Sequence, residues 1–196
     1  MSLAARPLAI PSMILRATAS PANSRKISAR LATATATRSG SDTSSTGSAD
    51  APPWQQVELA SGDGRAVDAG AFDVVVVFAG CTHPAAQWLD SLVEGGRLLL
   101  PLTTASWSGF LLRVIRRGTS FAASSIGGVG IYPCVDGRDE DASERLKTAL
   151  EQLEAGKIPI RALQRGSPSP ADAEQVWYQA PGCWLEREPA ARRPAL

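Results

Sequence analysis

Residues 72 to 103 read FDVVVVFAGCTHPAAQWLDSLVEGGRLLLPLT, and the fold turns on them. The run from Val74 to Ala79 is apolar without period-2 alternation, the habit of a strand buried on both faces in a parallel sheet. Gly80 ends it. His83 and Pro84 are expected to open a helix, because proline in the first turn sacrifices no intrahelical bond, with Ala85, Leu89, Leu92 and Val93 on one face. Gly95 and Gly96 are expected to stop that helix, and Arg97 to Leu102 to form a second apolar strand. The result is a strand, helix, strand crossover of about thirty residues, the unit that builds doubly wound sheets.

Upstream, Val57 to Leu59 is a short strand candidate followed by a Gly-Asp-Gly turn at Gly62 to Gly64. Downstream, Phe110 to Ile115 reads as a strand, and Phe121 to Ser125 and Val129 to Val135 as extended chain. Asp139 to Ala155 carries the clearest helical signal, with acids crowding its first turn and Leu146, Leu150 and Leu153 at helical spacing. Ile158 to Leu163 is a further strand candidate. Val176 to Tyr178 faces Cys183 to Leu185 across a Pro181-Gly182 pair that suits a type II turn, so a terminal antiparallel hairpin is expected.

The 196 residues allow one domain with a real core, and 44% hydrophobic with 20% charged is ordinary for a globular chain. A net charge of +1 advertises neither a nucleic-acid footprint nor a membrane surface. Three cysteines without C-x-x-C spacing indicate reduced thiols and a cytoplasmic location, and a single histidine disfavours a zinc site. Residues 1 to 50 carry arginines but no acid before Asp42, and the rest is mostly Ser, Thr and Ala. Such a segment reads as a disordered leader, ahead of the alternative of an organelle transit peptide. The expected division is residues 1–53 as leader or linker, 54–165 as the main domain and 166–196 as hairpin and tail.

The Gly-Asp-Gly turn, the FDVVVVFAG strand, Pro84 and the L-x-x-GGRL-x-x-P run from Leu92 to Pro101 resemble, in order and spacing, the carboxyl-terminal half of the protein-L-isoaspartate O-methyltransferase family, class I enzymes that use S-adenosylmethionine. The resemblance implies an α/β fold, a Rossmann-like methyltransferase sheet incomplete in its amino-terminal half. The family's glycine-rich cofactor loop and the acidic residue that closes its second strand have no counterpart before Trp54. With the family's first strand missing, the four valines would form a sheet edge open to self-association, with Val57 to Leu59 as the nearest cover.

By this resemblance Asp63 and Gly64 contact the adenine of S-adenosylmethionine, since an ionised carboxylate accepts from an exocyclic amine. A plain surface turn is the competing reading. Ala79 and Gly80 at the carboxyl end of the central strand join the cofactor site, and Cys81 and Thr82 the substrate site, because open α/β sheets bind ligands there and small residues admit them. Position alone does not separate that role from simple chain turning. Gly127, Gly128 and Gly130 imitate a phosphate loop but precede no helix. The implied reaction is methyl transfer to the carboxylate of an L-isoaspartyl residue in a damaged protein, an in-line displacement that needs positioning rather than a catalytic triad. The rivals are a non-catalytic remnant or partner-binding protein, and a fragment of a nicotinamide-dependent oxidoreductase.

Overall fold

A computed structural model of the chain describes residues 63–66, 70–134, 136–153 and 157–189 in full, and the backbone of three further strands at 13–19, 27–33 and 58–60. In chain order the elements are β1 (Met13–Ala19), β2 (Ile27–Thr33), β3 (Glu58–Ala60), β4 (Phe72–Val77), α1 (Ala86–Asp90), β5 (Leu92–Thr103), β6 (Ser108–Arg117), β7 (Ser120–Gly130), α2 (Glu140–Glu151), β8 (Ile160–Arg165), a 3-10 turn at Pro170–Gln175, β9 (Val176–Ala180) and β10 (Cys183–Arg187). Among the described residues the strands form one mixed sheet in the order β3-β2-β1-β4-β5-β6-β7-β8-β10-β9. The β4–β5 and β2–β3 pairs are parallel and the rest antiparallel. The α/β expectation therefore stands, built on the parallel β4–α1–β5 crossover, and the terminal β9–β10 hairpin closes over Pro181-Gly182 as read.

The crossover itself departs from the sequence reading. Its helix spans only Ala86–Asp90, because the Ser91 carbonyl is taken by the Phe72 backbone N–H at 2.7 Å and Leu92 already pairs with Phe72 across β4 and β5. Gly95 and Gly96 do not stop a helix. They lie in the irregularity between the pairs Phe72↔Leu92 and Val74↔Arg97, so β5 begins five residues earlier than expected. The expectation of a strand buried on both faces also needs correction: Val75 and Val77 are fully buried, whereas Val74 and Val76 keep partial exposure. Alternate residues face opposite sides of a sheet, and among the described residues one side carries the denser cover.

The amino-terminal segment holds regular structure where its composition suggested none. β1 pairs antiparallel with β4 from Ile14↔Val77 to Ala17↔Val74, and β2 folds back on β1. A strand edge presents a row of unpaired N–H and C=O groups, and any extended segment within reach lowers the free energy by pairing with it. β4 is accordingly not an edge, and the self-association argued from an open valine edge loses its basis. β3 does not cover β4 either; it sits beyond β2, at the sheet's margin. Trp54, Gly62, Gly156 and the tail beyond residue 189 lie outside the described residues, as does most of the leader.

The core gathers Phe72, Val75 and Val77 from β4, Leu98, Leu100 and Leu102 from β5, and Phe110, Leu112 and Val114 from β6, with Trp88 and Leu89 of α1 and Ala142 and Leu146 of α2. α2 starts as expected but ends at Glu151, short of the expected Ala155: the Asp139 side chain caps it by accepting from the Ala142 N–H at 2.7 Å, Glu140 and Asp141 favour its positive end, and Leu150 and Leu153 pack against the core.

Candidate functional site

β4 and β5 run parallel, and two antiparallel steps through β6 make β7 parallel to them, so all three end at the same margin of the sheet. The segments leaving that margin are Phe78 to Thr82, Thr104 to Trp107 and Ile131 to Arg138. Carboxyl ends of parallel strands are where open α/β sheets bind ligands. The residues singled out from sequence do meet here, but their groups are largely engaged with the chain itself.

Gly80 bridges in parallel to Pro133, its N–H donating to the Tyr132 carbonyl and its carbonyl accepting from the Cys134 N–H, both at 2.8 Å. A Cβ on Gly80 would fall on the Thr103 hydroxyl. The absence of a side chain at Gly80 therefore makes room for Thr103. Cys81 bridges to Leu102 and is fully buried. Thr82, equally buried, donates its N–H to the Gly137 carbonyl at 3.2 Å, accepts the Asp139 N–H on its hydroxyl at 3.1 Å, and offers its carbonyl to the Tyr178 hydroxyl at 2.7 Å. Ala79 is buried as well, and its carbonyl lies 3.7 Å from the Cys81 sulfur. His83 is half-buried with Nδ1 2.9 Å from the Thr82 hydroxyl, and burial pushes its pKa down against the opposing pull of Asp139.

Asp63 presents a different picture. Its carboxylate accepts from the Arg65 backbone N–H at 2.9 Å and from two guanidinium nitrogens at 3.1 and 2.9 Å, which hold its pKa below the ordinary carboxylate value. The side chain nonetheless remains 49% exposed. A carboxylate has about four acceptor positions, so capacity is left for one more donor. The turn is fixed from below by the fully buried Trp88, whose indole N–H donates to the Gly64 carbonyl at 2.9 Å. Arg65 also reaches the Asp136 carbonyl, tying the turn to the 131–138 segment.

Three residues at this margin were not singled out from sequence. The Arg138 guanidinium donates to the Thr103 hydroxyl at 2.8 Å, the Thr103 carbonyl at 3.1 Å, the Gly80 carbonyl at 3.3 Å and the Ser143 hydroxyl at 3.4 Å, so one side chain joins the ends of β4 and β5 to the first turn of α2. Its partners are neutral acceptors, and burial lowers its pKa. Trp107 takes a positive φ of 66°, rare for a bulky residue, and stands 49% exposed with its ring centroid 5.4 Å from that of Tyr132. Only the run of small polar residues around Trp107 hinted at this turn. Nothing local in the sequence marks Arg138 as a strap.

A cleft of about 540 Å³ lined by Thr104, Ser106, Ser108, Glu144 and Lys147 touches the same margin. A larger one, about 790 Å³, lies between α2 and β9 and contains none of the residues singled out from sequence. The margin remains the better candidate, because position at the strand ends and the exposed carboxylate bear on ligand chemistry and cleft volume does not. Among the described residues no three His, Cys, Asp or Glu side chains gather as metal ligands would.

The parallel β4–α1–β5 crossover, set in a sheet whose other pairs are mostly antiparallel, is that of an α/β protein. The chain is similar, through its carboxyl-terminal portion, to protein-L-isoaspartate O-methyltransferase: that of Rhodopseudomonas palustris (strain BisB5) is 34% identical over 86 residues, 43% of this chain and 40% of that protein. A solved protein-L-isoaspartate O-methyltransferase aligns at 14% identity with a TM-score of 0.39, over 68% of this chain and 49% of that one. The chain thus spans less than half the length of these relatives. No family model matches it.

Proposed function

We propose that the chain contributes to methyl transfer from S-adenosylmethionine to a carboxylate, that of an L-isoaspartyl residue in a protein or peptide. The observation that carries the reading is the similarity to protein-L-isoaspartate O-methyltransferase over 86 residues. Local chemistry adds partial support. The half-exposed Asp63 carboxylate, held rigidly by Arg65 and Trp88, fits the exocyclic amine of adenine, and it would orient the cofactor from that end. Gly80, Cys81 and Thr82 fit a ligand less well, since their backbone groups already serve the chain. The exposed Trp107 and Tyr132 rings, tilted by 50° to one another, offer a peptide substrate two apolar faces at the same margin.

S-adenosylmethionine supplies a methyl group activated by a sulfonium. The acceptor carboxylate is already the nucleophile at neutral pH, so no residue of the chain is asked to move a proton, and its part is to bind, orient and exclude water. A binding role without catalysis is the second reading, favoured by the internal use of the Gly80 to Thr82 backbone. Calorimetry of the purified chain with S-adenosylhomocysteine and with NADH, followed by methyl-ester formation on an isoaspartyl peptide, tests these readings. Binding of S-adenosylhomocysteine that weakens about tenfold or more in Asp63→Ala, the value of a charge-assisted hydrogen bond of roughly 1.5–3 kcal/mol, is expected. Binding of neither compound, with no ester formed, overturns the methyltransferase reading.

A further inference from the structure

Two of the three cysteines meet where the 131–138 segment lies on the carboxyl end of β4. The parallel bridge Gly80↔Pro133 sets the two chains side by side, so the next residue on each, Cys81 and Cys134, stand as neighbours. Chains so paired run about 4.8 Å apart, inside the range of about 4.4–6.8 Å that a disulfide needs between its Cα atoms. The sulfurs converge as well: a Cβ built on Gly137 would lie 2.6 Å from the Cys134 sulfur and 3.3 Å from that of Cys81. Glycine at 137 keeps the space over both thiols open. Both side chains are buried, and the contact with Cys134, followed by burial, pushes the Cys81 thiol well up. The 131–138 segment that carries Cys134 nevertheless has Tyr132 and Asp136 exposed.

We propose that Cys81 and Cys134 form a reversible disulfide in the folded chain when a hydroperoxide is present, and that the bond clamps the 131–138 segment onto the end of β4. In the balanced step one thiol, as thiolate, attacks a peroxide oxygen; the O–O bond breaks, and a sulfenic acid and water result when the oxidant is hydrogen peroxide. The second sulfur then attacks the sulfenic sulfur, the S–S bond forms, and a second water leaves. The two electrons pass from the sulfur pair to the peroxide, and a dithiol reductant reverses the bond. The high pKa of a buried thiol makes the first step slow, so the pair responds to sustained rather than brief oxidation. Cys183 is buried elsewhere, its thiol pushed up to about 12 by burial, and serves as an internal reference.

The test treats the full chain with hydrogen peroxide under native conditions, quenches with an alkylating agent, and maps peptides by mass spectrometry without reduction. The expected result is a Cys81–Cys134 cross-link whose rate is independent of protein concentration, which persists in Cys183→Ser and is lost in Cys134→Ser. A rise in Tm of about 5–10 °C that dithiothreitol reverses accompanies it. The wild-type map stands even if a cysteine variant folds poorly. Sulfinic or sulfonic acid at these positions without cross-link, a cross-link that uses Cys183, or thiols that resist peroxide until the chain is unfolded each overturn the proposal.

Discussion

Arg138→Met removes the side chain that joins three elements, and the structure allows the loss to be sized. Of its four hydrogen bonds, those to the Thr103 hydroxyl and carbonyl have good length, at 2.8 and 3.1 Å, while those to Gly80 and Ser143 are long, at 3.3 and 3.4 Å. Two good bonds from a charged donor are worth roughly 1.5–3 kcal/mol each. Against this stands the desolvation of a half-buried guanidinium paired with neutral acceptors, which is relieved when the charge is removed. The net expected cost is about 2–3 kcal/mol. Arg138→Lys keeps the charge but cannot span the Thr103 hydroxyl and carbonyl with one planar fork, and is expected to lose about half as much. Urea unfolding at neutral pH measures both variants; at this chain length each kcal/mol corresponds to about 2–4 °C in Tm. A cost under about 0.5 kcal/mol for Arg138→Met would show that the strap is not formed in solution.

Further outcomes are expected elsewhere. Tyr178→Phe deletes the hydroxyl that donates to the Thr82 carbonyl at 2.7 Å, costing about 1–2 kcal/mol with the ring packing kept; an unchanged urea midpoint would refute that bond. Trp107 sits at φ 66°, so Trp107→Gly, which relieves the strain, is expected to be more stable than Trp107→Val by about 1–2 kcal/mol; equal midpoints would remove the strained turn from the argument. Burial lowers the folded-state pKa of His83 below 6.5, so between that pKa and 6.5 the unfolded chain binds more protons. Stability should therefore decline as pH falls from 7 through that window, and His83→Asn should flatten the decline; an unchanged slope would count against a buried, neutral His83.

The local elements were readable where residue chemistry is local. Asp139 and the acids after it specify a helix start through the unpaired N–H groups of a first turn, and Pro181-Gly182 specifies a hairpin turn by fixing one φ and permitting the other. The alternation of β4 was harder, since four valines read alike whether one face is covered or two. The crossover helix was read too long, because its end depends on Phe72 capturing the Ser91 carbonyl, a contact between residues far apart along the chain.

The candidate site divides in the same way. Its location at the carboxyl end of β4 came from the linear pattern of an apolar strand followed by glycine and proline, and the Asp63 turn from the Gly-Asp-Gly motif and the family resemblance. What that end does with its groups was decided by partners from distant parts of the chain: Tyr132, Pro133 and Cys134 on Gly80, Tyr178 on Thr82, and Arg138 on Thr103. The sequence by itself determined the central parts of the strands from β4 onward, the start of α2 and the turn at Pro181-Gly182, since those follow from propensity and period, while β1 and β2 escaped it. Only the tertiary structure decided that Gly80 packs against Thr103, that β1 closes the edge of β4, and that Cys81 lies beside Cys134, because hydrogen bonds and steric contacts between residues distant in the chain exist only once the sheet has formed.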